Sequence, residues 1–256
     1  MTALVKTDGI RKELAAMLGP LAEQTIEAAR SAGKTLDAAV LFGSAAGPSY
    51  VPGKSDVNIF MVFDIVDVAL LNALRPVFDR WMKKLRARPV VTDRAFISGS
   101  ADVFPMEFLE WKERSVAFYG ENPAGKIPIS LENLRLQIEE NLRGKRLRLI
   151  QASLEIGSKP AKFQPFLEST LSTFATIFRN ILRLAGSPAA GAGDPDSVIA
   201  GVESLAGFKL SAFRELAAMK KSKTKAPAGK LETVFQSYLT ELDSLTEFVD
   251  KMEVGG

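Results

Sequence analysis

Neither cysteine nor histidine occurs among the 256 residues of the chain. The first absence excludes disulfides and thiolate zinc sites; the second removes imidazole ligands, imidazole bases and Ser-His-Asp triads. Chemistry must therefore run on carboxylates, hydroxyls, amides, Lys or Arg. Long apolar runs are also missing. No stretch approaches the roughly 18 to 20 uninterrupted apolar residues that a bilayer crossing needs, and the opening MTALVKTDGIRKEL has no apolar signal core. A cytoplasmic protein without a membrane partner is the expectation. An excess of one charge sign is lacking too: Lys plus Arg number 33 against 30 Asp plus Glu, and residues 1–128 hold 16 basic against 15 acidic, which leaves 17 against 15. Neither half is a polycation, which argues against a nucleic-acid partner despite a pI of about 9.0. P-loop, GxGxxG, HExxH and EF-hand patterns are absent.

What is present is the composition of a globular protein, 46% apolar and 25% charged, with length for two domains of roughly 100 to 200 residues each. Residues 10–30 have helical spacing, with Pro20 able to start a second helix and Gly33 a stop. Leu36 to Phe42, LDAAVLF, reads as a buried strand ended by Gly43 and Ser44. Residues 45–55 form a Gly- and Pro-containing loop, and Asp56 to Phe63, DVNIFMVF, reads as a second strand. Helical spacing returns over 64–88, with basic residues at its end, until Pro89. Three short segments, 90–96, 103–108 and 116–119, then read as strands or edges. The loop GENPAGKIP over 120–128 marks the domain boundary, which places one domain at 1–127 and another at 128–256. Four long amphipathic segments follow, over 130–156, 165–185, 196–220 and 231–253. The fold class expected is α+β: a small mixed sheet with flanking helices, followed by an all-α up-and-down helical bundle.

The chemistry concentrates at Gly43-Ser44 and Asp56-Val57-Asn58-Ile59, with eleven residues between them. Alternation along a strand projects positions 56 and 58 from one face while Val57 and Ile59 enter the core. A glycine at the preceding turn lets phosphate approach the backbone, and the Ser44 hydroxyl can donate to it. These residues resemble the fingerprint of the nucleotidyltransferase superfamily: a hydrophobic residue, Gly, Ser, about a dozen residues, then Asp, hydrophobic, acidic, hydrophobic. Phe42-Gly43-Ser44 and Asp56-Val57-Asn58-Ile59 match it at every position but 58. The family's third carboxylate falls on a later strand, for which Glu107 in VFPMEF is the best match and Asp93 in VVTDRAF the rival. FLEWKERSVAFYGENP is similar to the end of the catalytic domain in relatives that modify small molecules such as aminoglycosides.

The resemblance implies a nucleoside triphosphate bound at Gly43 and Ser44, and magnesium (Mg2+) held by Asp56, Asn58 and Glu107, the same three residues being catalytic; Lys54 and Ser55, in the loop beside Asp56, are read as further nucleotide contacts. The product would be a nucleotidyl ester on a hydroxyl of a small molecule or a protein, and relatives commonly form homodimers. Asn58 departs from the pattern, since its neutral carbonyl can ligate but adds no charge. At an effective dielectric of about 20, one missing carboxylate beside a dication is a loss on the order of several kcal/mol before solvent compensation. An alternative follows: a catalytically degenerate protein that binds nucleotide for regulation, or that serves partner association alone. Each residue also has a plainer reading, Gly-Ser as a turn, Asp56 as a cap, Glu107 as an exposed residue and Lys54 as a solvated loop lysine. The basic run KKSKTK reads as a solvated helix end, Arg135, Glu139 and Arg146 as a charged helix face, and Phe163, Phe166, Phe174 and Phe178 as core.

Overall fold

Strand β1, Leu36–Phe42, is the centre about which the first half of the chain is organised. In the computed structural model, which describes residues 9–47, 50–53, 55–157, 159–192, 194–223 and 225–254, it pairs antiparallel with β2, Val57–Phe63, and with β4, Ser115–Tyr119. Strand β3, Ala87–Asp93, runs parallel to β2, which gives a mixed sheet in the order β3-β2-β1-β4. Alternation then sorts the side chains. Ala39, Leu41, Val57, Ile59, Met61 and Phe63 face α1, Lys12–Ser31, and α2, Val68–Leu85. Val40, Phe60 and Val62 face α3, Arg94–Gly99, and α4, Pro105–Glu113. Trp111 of α4 stacks on Phe60 with ring centroids 4.0 Å apart, which fixes the helix on this face.

Several segments differ from the sequence expectation, each for a local reason. Pro20 lies inside α1 and does not divide it. Helix α2 stops at Leu85, and Pro89 sits within β3, an edge strand that tolerates a missing donor. The expected strand 103–108 is a turn entering α4: Pro105 occupies the first helical position, where its absent N–H costs nothing. The strand at 90–96 ends at Asp93, whose carboxylate caps α3 by accepting from Phe96 N at 2.9 Å.

The chain divides into two compact units, Met1–Ile129 and Ser130–Gly256. The second is helical, with five helices among its described residues: α5 Leu131–Ile156, α6 Pro160–Leu184, α7 Pro195–Ala206, α8 Ser211–Ser222 and α9 Ala228–Asp250. The third expected segment is thus two helices, interrupted at Gly207, which takes a left-handed φ of +77° and caps α7. Phe174, Phe178, Phe213 and Tyr238 form its aromatic core, with Phe213 and Tyr238 centroids 4.4 Å apart. Glu203 braces the α7–α8 corner from a nearly buried position, accepting from Leu210 N at 2.9 Å and from two nitrogens of Arg214 at 3.0 and 2.8 Å. The Arg214 guanidinium holds its carboxyl down to about 2.

Candidate functional site

Strand registry brings two of the sequence-predicted parts, the Gly43-Ser44 turn and Asn58, to one end of the sheet. Phe42 pairs with Asn58 across β1 and β2, and Asn58 pairs with Arg88 across β2 and β3. The end of β1 and the starts of β2 and β3 therefore meet. Gly43 opens a single 3-10 turn, Gly43–Ala46, with a φ of +69°, where other residues are strained. A Cβ there would lie 3.1 Å from the Asn58 side-chain nitrogen, so the glycine also makes room for that amide. Asn58 shares its face with Phe60 and Val62, beneath α4. Gly43, Ser44, Ser55, Asp56 and Asn58 are all half-buried. Among the described residues neither the Ser44 hydroxyl nor the Asn58 amide has a side-chain hydrogen bond, which leaves both available to a ligand.

Ser55 is engaged structurally. Its hydroxyl accepts from Val51 N at 3.0 Å while its own N–H donates to Val51 O at 2.9 Å, closing the loop before β2. Lys54 lies outside the described residues.

Asp56 has partners that sequence reasoning did not assign. Arg86 donates to its carboxylate from Nε at 3.1 Å and contacts it from Nη2 at 3.0 Å, and Arg88 Nε stands 3.6 Å from the other oxygen. Read as helix-end charges complementing α2, these arginines in fact flank the start of β3. Arg86 is the left-handed cap of α2, with a φ of +52°, and its carbonyl accepts from Val57 N at 3.1 Å. A non-glycine in that region is uncommon and costs conformational energy. The signal was present as period-two spacing, Arg86, Arg88, Val90, alternating with Ala87 and Pro89.

Glu107 lies in the first turn of α4 and is exposed, between buried Met106 and Phe108, so it is not delivered by a strand in register with Asp56. Asp93, the rival, pairs with Phe63 at the opposite end of the sheet from Asn58 and is committed to capping α3. No group of three or more carboxylates converges among the described residues. A dication beside Asp56 would also meet two guanidinium groups, a repulsion on the order of several kcal/mol before screening. The donor set does not fit a magnesium centre of the expected kind.

A polar clasp steadies this end of the sheet. Asn122 Nδ2 donates to Trp111 O at 2.6 Å and to Ser115 Oγ at 3.0 Å, and its Oδ1 accepts from Ala124 N at 3.1 Å. It ties the end of α4 to β4, whose Ser115 is the partner of Phe42. In the helical unit, the charged face expected near Arg135 is internally paired: Arg135 with Glu139 and Asp250, Arg143 with Glu139, and Arg146 with Asp243.

The arrangement offers an oxyanion a glycine turn, a hydroxyl, an amide and two arginines around one carboxylate. No protein-family model matches the chain, and no curated protein matches it.

Proposed function

We propose that the first unit is a nucleotidyltransferase-like module that binds the triphosphate of a nucleotide at the Gly43-Ser44 end of its sheet without transferring the nucleotidyl group. The observation that carries this reading is the pairing of Asp56 with Arg86 and Arg88. Arginine keeps its charge over the whole working pH range and matches phosphate oxygens with a planar fork of donors. Both guanidinium groups are about half exposed, with relative side-chain exposures of 50% and 54%, so pairs of this kind exchange partners at small cost. A triphosphate then takes the arginines in place of Asp56, with Gly43 letting it approach the backbone and Ser44 and Asn58 supplying neutral hydrogen bonds.

The transferase reading, with a small-molecule or protein hydroxyl as acceptor, keeps one support: Asn58 stands beside Gly43, and Asp56, two residues before it, is like it only half-buried. Calorimetric titration with each of the four triphosphates, in EDTA and in magnesium, combined with a pyrophosphate-release assay over an acceptor panel, separates the two. The binding reading expects saturable binding in EDTA, weakened about tenfold by Arg88→Ala, and no pyrophosphate. Pyrophosphate release overturns it in favour of transfer, and absence of binding overturns both.

A further inference from the structure

Between α6, α7 and α8 lies a groove of about 440 Å³. Phe178, Phe213 and Ile199 form its floor and are 1%, 0% and 6% exposed, with Leu171, Ala175 and Ala217 along the walls. The two alanines explain the space. Each is half-buried on a helix whose neighbouring inward positions carry larger apolar residues, so the small methyl groups leave a hollow over the buried Phe178 and Phe213.

The rim is polar and asymmetric. Lys220 and Lys221 stand on one side, in the last turn of α8, and Asp196 on another, in the first turn of α7. Lys220 Nζ donates to the Glu168 carbonyl oxygen at 3.1 Å, which holds the ammonium at the rim, and it has no ion pair among the described residues. Lys221 has no ion pair among the described residues. The Asp196 carboxylate stands across the groove from the two lysines, and the nearby Arg214 is paired with Glu203, so the lysines alone supply the cationic side of the rim. Lysines at a helix end ordinarily face water alone; here they border an apolar trough.

From this complementarity we infer that the groove binds a small amphipathic acid, with an unbranched acyl chain along Leu171, Ala175 and Ala217 and its carboxylate between Lys220 and Lys221. Volume and lining match the general form of small-ligand sites, mostly apolar walls with a few placed polar groups. The inference uses no residue of the sheet-end site and stands or falls apart from it.

Calorimetric titration of the full chain with decanoate, decanol and decylammonium tests it, repeated on the Lys220→Met/Lys221→Met double variant and on Ala217→Phe, which puts a ring into the groove. Saturable binding of decanoate is expected, about tenfold weaker in the double variant, with decanol affinity unchanged. Ala217→Phe removes binding of both while the circular-dichroism spectrum stays helical, and Ala175→Phe replaces it if that variant does not fold. The inference is overturned by a lack of saturable decanoate binding, by equal affinity for decylammonium, or by indifference of decanoate to the filled groove. Binding of an acidic amphipathic peptide to this groove with decanoate inert also overturns it and assigns the groove to a protein partner.

Discussion

Arg86 carries two roles that one substitution can separate. Its left-handed backbone suits glycine better, so Arg86→Gly relieves strain while losing a half-exposed ion pair worth roughly 0 to 1 kcal/mol. Stability by urea denaturation is expected to stay within about 1 kcal/mol of the parent, whereas triphosphate affinity in EDTA falls about tenfold. Equal affinity would strip Arg86 of its binding role. Asn58→Asp adds a charge of the ligand's own sign beside Gly43 and is expected to weaken EDTA binding, again read by calorimetry. Gly120 is a purely structural counterpart: with a φ of +66°, a Cβ there would stand 2.2 Å from Asp37 O, so Gly120→Ala is expected to cost ~2 kcal/mol or more by the same denaturation assay. Glu203 gives a pH signature. Its carboxyl is lowered from 4.5 to about 2 by Arg214, so the stabilisation is complete above about 4.5 and is lost as pH falls through 2. The corresponding loss is on the order of 3 kcal/mol, and Glu203→Gln is expected to flatten the acid limb of the stability profile.

At the scale of elements, Asn122 is the test of how α4 is held. Asn122→Ala removes donors to Trp111 and Ser115 and the cap on Ala124, an expected loss of about 1 to 2 kcal/mol in thermal or urea unfolding. A smaller change would mean that Trp111 stacking alone seats the helix. The elements also show where sequence pattern suffices. β1 and β2 were legible because short apolar runs end against Gly43 and begin after a turn-rich loop, and their registry then follows from burial of alternate residues. The second half of β3 was legible as the strand expected from 90, but its start at Ala87 was concealed by Pro89, which reads as a break unless the strand is known to lie at an edge. α4 was concealed because Met106 and Phe108 alternate with Glu107 as a strand would, although Pro105 at the first helical position was a helix-start signal. The third bundle segment kept its apolar spacing across Gly207, and only the left-handed turn there divides it into α7 and α8.

At the scale of the whole chain, two units with separate aromatic cores imply separable unfolding. Both tryptophans, Trp81 and Trp111, lie in Met1–Ile129, so their fluorescence follows that unit alone, while far-ultraviolet circular dichroism weights all helices. Non-coincident urea transitions by the two probes are expected where each core unfolds by itself, and superimposable ones would mean that the two cores unfold as a single cooperative block. The candidate site was half visible in the sequence for the same reason of scale. Gly43, Ser44, Asp56 and Asn58 are local in pattern and meet through one strand pair. Arg86 and Arg88 join them only through the parallel β2–β3 pairing, which spacing along the chain does not announce. Residue-resolved amide NMR during titration with a nonhydrolysable triphosphate in EDTA addresses the central claim most directly. Perturbation is expected at 43–46, 56–58 and 86–88 without added metal; shifts that appear only with magnesium, or that leave those residues untouched, would contradict an arginine-based triphosphate site.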